Sequence, residues 1–171
     1  MKLKHIDRIV SAVAVALWMA VIFWFSAQNG QSSGSMSAGI TQAVARFLTP
    51  GFDSLSPLAQ AEVIEALHLF VRKAAHFSEY AVLGVLTANA LRTYRLKHGL
   101  RFLLPVSVCF LYAVSDEFHQ SFVVGRAGRL SDVLLDTAGA VTGVAVFLAV
   151  GWVIKIIRNR GKTDDTQASA E

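Results

Sequence analysis

The chain has 171 residues, 54% of them hydrophobic, with a net charge of +4 and a mean hydropathy of +0.49. Ordinary soluble domains are about 45–50% apolar, and here the excess is gathered into long runs that a soluble core does not need and a bilayer does. The basic residues flank those runs, so the charge speaks for topology and anionic lipid and against nucleic acid; the single cysteine, Cys109, rules out an intramolecular disulfide.

The first apolar run is Ile9 to Phe25, broken only by Ser11 and preceded by Lys2, Lys4 and Arg8. It is just long enough to cross the hydrocarbon. A cleaved signal peptide is the competing reading, but the run is long for one, holds Trp18 and Trp24, and puts Phe25 where cleavage wants a small residue. We expect a retained helix. Residues 26–35, SAQNGQSSGS, read as a polar loop. Ile40, Val44, Phe47 and Leu48 then repeat at helical spacing, giving a short amphipathic helix over 36–48 that Pro50-Gly51 ends. Leu58, Val63, Leu67 and Phe70 predict a second one, with Ser56 as N-cap and Pro57 at its first position. Both are too short to span and suit the interface.

The second span is expected over 71–91, the third over 102–119 and the fourth over 132–154. The fold class is therefore all-α: a polytopic bundle of about four transmembrane helices, with short amphipathic helices between the first and second. The transmembrane domain covers 1–155, and 156–171 is a polar cytoplasmic tail expected to be disordered from Gly161 onward. Eleven of the sixteen Lys and Arg residues fall in 1–8, 92–101 and 155–171. The positive-inside bias puts both termini in the cytoplasm.

Alternating topology then gathers the start of span two, the end of span three and the start of span four at the outer face. Span two brings Lys73, His76, Glu79 and Tyr80. Span three brings Asp116, Glu117 and Gln120, with His119 among them. Span four brings Asp132 and Asp136, and the preceding loop adds Arg126 and Arg129. Ionisable groups inside a span cost a few kcal/mol each and should pair or face a wet cavity. The expected pairs are Lys73 with Asp116 or Glu117, and Arg126 or Arg129 with Asp132 or Asp136. Adjacent helical residues diverge by about 100°, so Asp116 and Glu117 should not converge on one atom. Gly139 and Gly143 form a small-xxx-small pair suited to close helix packing. The chain lacks HExxH, CxxC and GxSxG. No metal or cofactor is expected, and no catalytic residue can be assigned.

The run from Lys73 to Gly84, K-x-x-H-x-x-x-Y-x-x-L-G, resembles the first signature of VanZ-like membrane proteins. Asp116-Glu117-Phe118-His119-Gln120, followed by Gly125-Arg126, Asp132, Asp136 and Gly139, resembles the second. Phe25-Ser26-Ala27-Gln28 with Ser33 resembles the family's serine/glutamine segment. Val124 stands where the family commonly has proline before Gly-Arg. The resemblance covers roughly residues 20–145 and implies a small multi-pass protein of the bacterial envelope. It also implies a family whose founding member is linked to resistance to teicoplanin, a glycopeptide antibiotic. No reaction is securely assigned to that family.

Two functions follow as expectations. One is an envelope protein whose outer-face polar pocket binds a lipid head group, a cell-wall precursor or a glycopeptide. The other is a membrane enzyme working by acid–base chemistry on a lipid-linked substrate, with His76 as base or acid, Asp116 orienting it, and Lys73 and Arg126 clamping an anion.

Overall fold

The computed structural model describes the backbone of residues 2–28, 30–126 and 128–168, and the side chains of 4–28, 38–126 and 128–160. Five helices follow one another: α1 (Lys2–Ser26), α2 (Gly30–Leu48), α3 (Pro57–Leu91), α4 (His98–Gln120) and α5 (Leu130–Ala168). A 3-10 turn, Phe52–Ser54, lies between α2 and α3. Among the described residues there is no strand. The protein is an all-helical bundle, as its composition predicts.

Three helices are long and apolar enough to cross a membrane: Lys4–Ser26, His98–Gln120 and Leu130–Arg160. Their outward faces carry large apolar side chains in the open, among them Leu17, Leu111 and Trp152. A water-soluble protein rarely leaves so much apolar surface uncovered, whereas a bilayer covers it. The protein is a multi-pass membrane protein.

The second span departs from expectation. The predicted short helix after Pro57 and the predicted span over 71–91 are one continuous helix of 35 residues. Its start is as read: the Ser56 hydroxyl accepts from the Ala59 N–H at 3.3 Å, and Pro57 holds the first turn. No glycine or proline stands between Leu58 and Phe70 to stop it, and the polar face that suggested an interfacial helix belongs to its first half. Too charged to qualify as a span by composition, α3 is shielded instead, since it packs against each of the other four helices. The Trp18 indole N–H donates to the Glu79 carbonyl at 2.9 Å, and the Arg8 guanidinium reaches Thr93. Glu79 to Thr93 therefore runs antiparallel beside Arg8 to Trp18, and α3 crosses wherever α1 does.

The expected loop over 26–35 is also shorter than read, because α2 begins at Gly30. Polar Ser and Gln residues tolerate a helix whose packing is supplied by a neighbour, and α2 packs along α3. Ser33 falls within α2, but its side chain is outside the described residues. The α5 helix runs past the apolar stretch into the polar tail.

The seam between α3 and α5 is the tightest in the molecule. A Cβ at Gly139 would strike the Phe77 carbonyl, and one at Gly143 the Ala81 carbonyl. The backbones meet where the small-xxx-small pair predicts. The interior around the seam is lined by Tyr80, Leu83, Cys109, Ala113 and Ala140, with Ile22 from α1.

Candidate functional site

Five of the ten candidate residues are buried at one end of the bundle: Tyr80 and Asp136 at 0% exposure, Asp116 and Gln120 at 2%, and Glu117 at 5%. His76, Glu79, Arg126 and Asp132 are half-buried, and Lys73 is exposed. They come from the start of α3, the end of α4, the start of α5 and the α4–α5 loop. The end of α1 joins them through Ser26, itself 1% exposed.

The expected ion pairs do not form. Among the described residues the ion pairs are Arg46–Asp53 and Arg92–Asp7, both outside this cluster. Asp116 Oδ2 accepts from the Ser26 hydroxyl at 2.8 Å and from the Gln120 amide at 3.1 Å, and that amide also reaches Ser26 Oγ at 3.2 Å. Glu117 Oε2 instead accepts the backbone N–H of Arg129 at 2.8 Å, tying the end of α4 to the loop. The two neighbouring carboxylates thus point to different partners, as helical geometry requires. The pairing expectation failed because it treated charge as the only way to satisfy a buried carboxylate. A serine, a glutamine side chain and a backbone amide take that place, all neutral donors already at hand. Lys73, meanwhile, stays exposed at the rim.

Several buried polar atoms have no hydrogen-bond partner among the described residues: both carboxylate oxygens of Asp136, Asp116 Oδ1, the Tyr80 hydroxyl, His76 Nδ1, His119 Nδ1, and Arg126 Nε and Nη1. Buried polar groups are nearly always hydrogen-bonded, and each exception needs a reason. Eight such atoms at one end of a small bundle form a set. Asp136 lies within electrostatic range of Asp116, Glu117, Asp132 and Glu79. Arg126 sends Nη2 to the Phe25 carbonyl at 3.3 Å. Burial, and then the nearby Arg72 guanidinium, pushes Arg126 below its ordinary value, while Asp116, Glu117 and Glu79 pull the other way. Gly125, with φ of 77°, makes the left-handed turn that points Arg126 inward; the Gly-Arg pair has a geometric reason even with Val124 in place of proline.

Two cavities adjoin this set and reach it at His76 and Arg126. One, of about 430 Å³, lies between α2 and α3 and is mainly apolar, walled by Ile40, Val44, Phe70, Val71 and Ala74. The other, of about 380 Å³, lies between α3, the α4–α5 loop and α5, and is rimmed by Arg72, Lys73, Arg126, Arg129 and Asp132. Arg72, His76 and Arg126 line both. Glu79 lines only the apolar one. His76 and Asp116 are not hydrogen-bonded to each other: Asp116 Oδ2 is engaged by Ser26 and Gln120.

Sequence reasoning missed Ser26 and Arg72 as site residues. Ser26 ends an apolar run and belongs to the serine/glutamine segment, which was the available signal. Arg72 stands at the start of the second span, and nothing in its spacing shows that it lines two cavities.

Comparison with known proteins gives one family: the VanZ/LLP1 model matches residues 11–154, most of the chain. No curated protein and no solved structure matches.

Proposed function

Since the chain belongs to the VanZ/LLP1 family, we propose that it is an envelope membrane protein whose outer-face pocket binds the polar end of a membrane-borne ligand, a lipid head group or a cell-wall precursor. The teicoplanin link that the resemblance implies would be a special case of the same binding, with a glycopeptide as ligand. The observation that carries this reading is the set of buried, unpartnered polar atoms, two of whose residues, His76 and Arg126, line both neighbouring cavities together with Arg72. Leaving such groups unsatisfied costs about 1–3 kcal/mol each. A ligand that supplies the missing partners would relieve that cost.

The reading requires both termini in the cytoplasm and the cluster outside. Reporter fusions at Lys97 and after Arg160 should read cytoplasmic, and fusions near Ser54 and Ala127 external. An external reading at Lys97 would turn the pocket inward and end the proposal. His76→Gln keeps size and one hydrogen-bonding nitrogen analogue. It should leave expression and insertion unchanged while abolishing the envelope phenotype of a deletion strain.

A second reading is a membrane enzyme acting on a lipid-linked substrate. The free Nδ1 of His76, which lines both cavities, favours it, since proton transfer needs such a group at a cavity. Accumulation of one lipid or wall precursor in the His76→Gln strain, with its product depleted, would select the enzyme; an unchanged precursor pool alongside a lost phenotype would select binding.

A further inference from the structure

The two cavities differ in chemistry and meet at three residues. The α2–α3 cavity is walled by apolar side chains from both helices, and two of those, Ile40 and Phe70, are 61% and 65% exposed on the protein's outside. A wall whose members also face outward in a membrane protein is a wall open to acyl chains. The second cavity carries four cations, Arg72, Lys73, Arg126 and Arg129, against one carboxylate, Asp132. None of those four cations is in an ion pair among the described residues. Four cations outnumber the basin's one carboxylate, so they repel one another, and a bound anion relieves that. Each cavity falls in the range of about 300–1,000 Å³ seen for ligand sites.

We infer that the two cavities are one site for a phosphate-bearing lipid, its phosphate in the cationic basin of Arg72, Arg126 and Arg129 and its acyl chain between α2 and α3. This rests on the pocket reading above and names its ligand class. Guanidinium forks match phosphate oxygens in pairs, and basic pockets between transmembrane helices hold anionic head groups. Free phosphate would use the basin alone and leave the apolar cavity without a role. A zwitterionic head group would bring a quaternary amine into a basin already rich in cations. His76, at the junction, lies where the head group joins the chain. Glu79, on the apolar side, makes the chain cavity a poor place for the phosphate itself and so sets the lipid's direction.

The test uses the purified full-length protein in a mild detergent, with native mass spectrometry and thermal unfolding as readouts. The probes are phosphatidic acid, phosphatidylcholine and diacylglycerol of equal chain length, and inorganic phosphate. Phosphatidic acid should give a one-to-one adduct and raise Tm, and the other three should do neither at the same concentration. Arg129→Gln should weaken phosphatidic acid at least about tenfold, the size of one lost charged hydrogen bond. Arg129 is exposed and its structural bond to Glu117 uses the backbone N–H, so this variant folds. Val44→Trp, which fills the apolar cavity, should weaken it as well while leaving Tm without lipid in place. Equal binding of phosphatidylcholine, inorganic phosphate binding as tightly as phosphatidic acid, or indifference to Arg129→Gln would each overturn the inference. If phosphatidic acid does not bind while His76→Gln still abolishes the envelope phenotype, the ligand class is wrong and the pocket reading stands.

Discussion

The two ends of the bundle treat charge in opposite ways. At the end where α1 starts and α3 finishes, the charges are exposed and satisfied. Arg92 pairs with Asp7 at 2.9 Å, and Arg8 donates to Thr93 and sits 4.5 Å over the Tyr94 ring. At the other end, carboxylates, two histidines and a guanidinium are drawn inward and left with atoms unpartnered among the described residues. Exposed pairs at a membrane boundary cost little and fix register. Buried unsatisfied groups cost stability and do nothing for register that a leucine would not do better. The first arrangement is what anchoring requires, and the second is what the proposed binding pocket would require.

The largest expected effect falls on what joins the ends. The α3–α5 seam runs parallel, Gly139 against Phe77 and Gly143 against Ala81. Gly143→Leu must push the backbones apart over the whole contact. Its overpacking cost should exceed about 3 kcal/mol, and the variant should be lost from the membrane fraction. A Gly143→Leu protein present at normal levels would show that the ends do not depend on a shared rigid seam.

Next comes the site itself. Asp136→Asn keeps shape at a fully buried position whose oxygens accept nothing from the protein. Stability in detergent should change by no more than about 1 kcal/mol, while the envelope phenotype is lost. Stability lost with the phenotype retained would make Asp136 a structural residue and erase the contrast between the two ends. Ser26→Ala should be milder. It removes one donor to Asp116, leaving Gln120 in place, and should lower stability by about 1–2 kcal/mol, measured by thermal unfolding. It should also loosen α1 from α4, read as faster hydrogen exchange at the end of α1.

Much of this contrast was legible before the structure. Run length and flanking cations gave the helices and their alternation, and alternation alone placed Lys73, Asp116 and Asp136 at one end. The spacing of Gly139 and Gly143 carried the seam. What the chain could not show is how buried carboxylates are satisfied. Ser26 is 90 residues from Asp116, and the backbone N–H of Arg129 carries no sequence signal at all. The join between the helix after Pro57 and the second span was also obscured. Polar residues on α3 looked like an interface boundary, whereas neighbouring helices cover them. Local pattern reads which face is apolar; it cannot read which neighbour will cover a polar one.

The smallest expected effect tests the quieter end. The Arg92 and Asp7 side chains are 51% and 40% exposed in their pair. Solvent and salt screen such a contact, and double-mutant cycles on exposed pairs return about 0.2–1 kcal/mol. A cycle of Arg92→Gln, Asp7→Asn and the double variant should therefore give coupling within that range, shrinking as salt rises. None of the three should alter the envelope phenotype. Arg92 also belongs to the positively charged 92–101 segment, and Arg95, Lys97 and Arg101 remain to hold orientation, so insertion should be unchanged. A coupling well above 1 kcal/mol, or a lost phenotype, would mean that the Arg92–Asp7 pair takes part in function. The difference between the ends would then be one of burial alone.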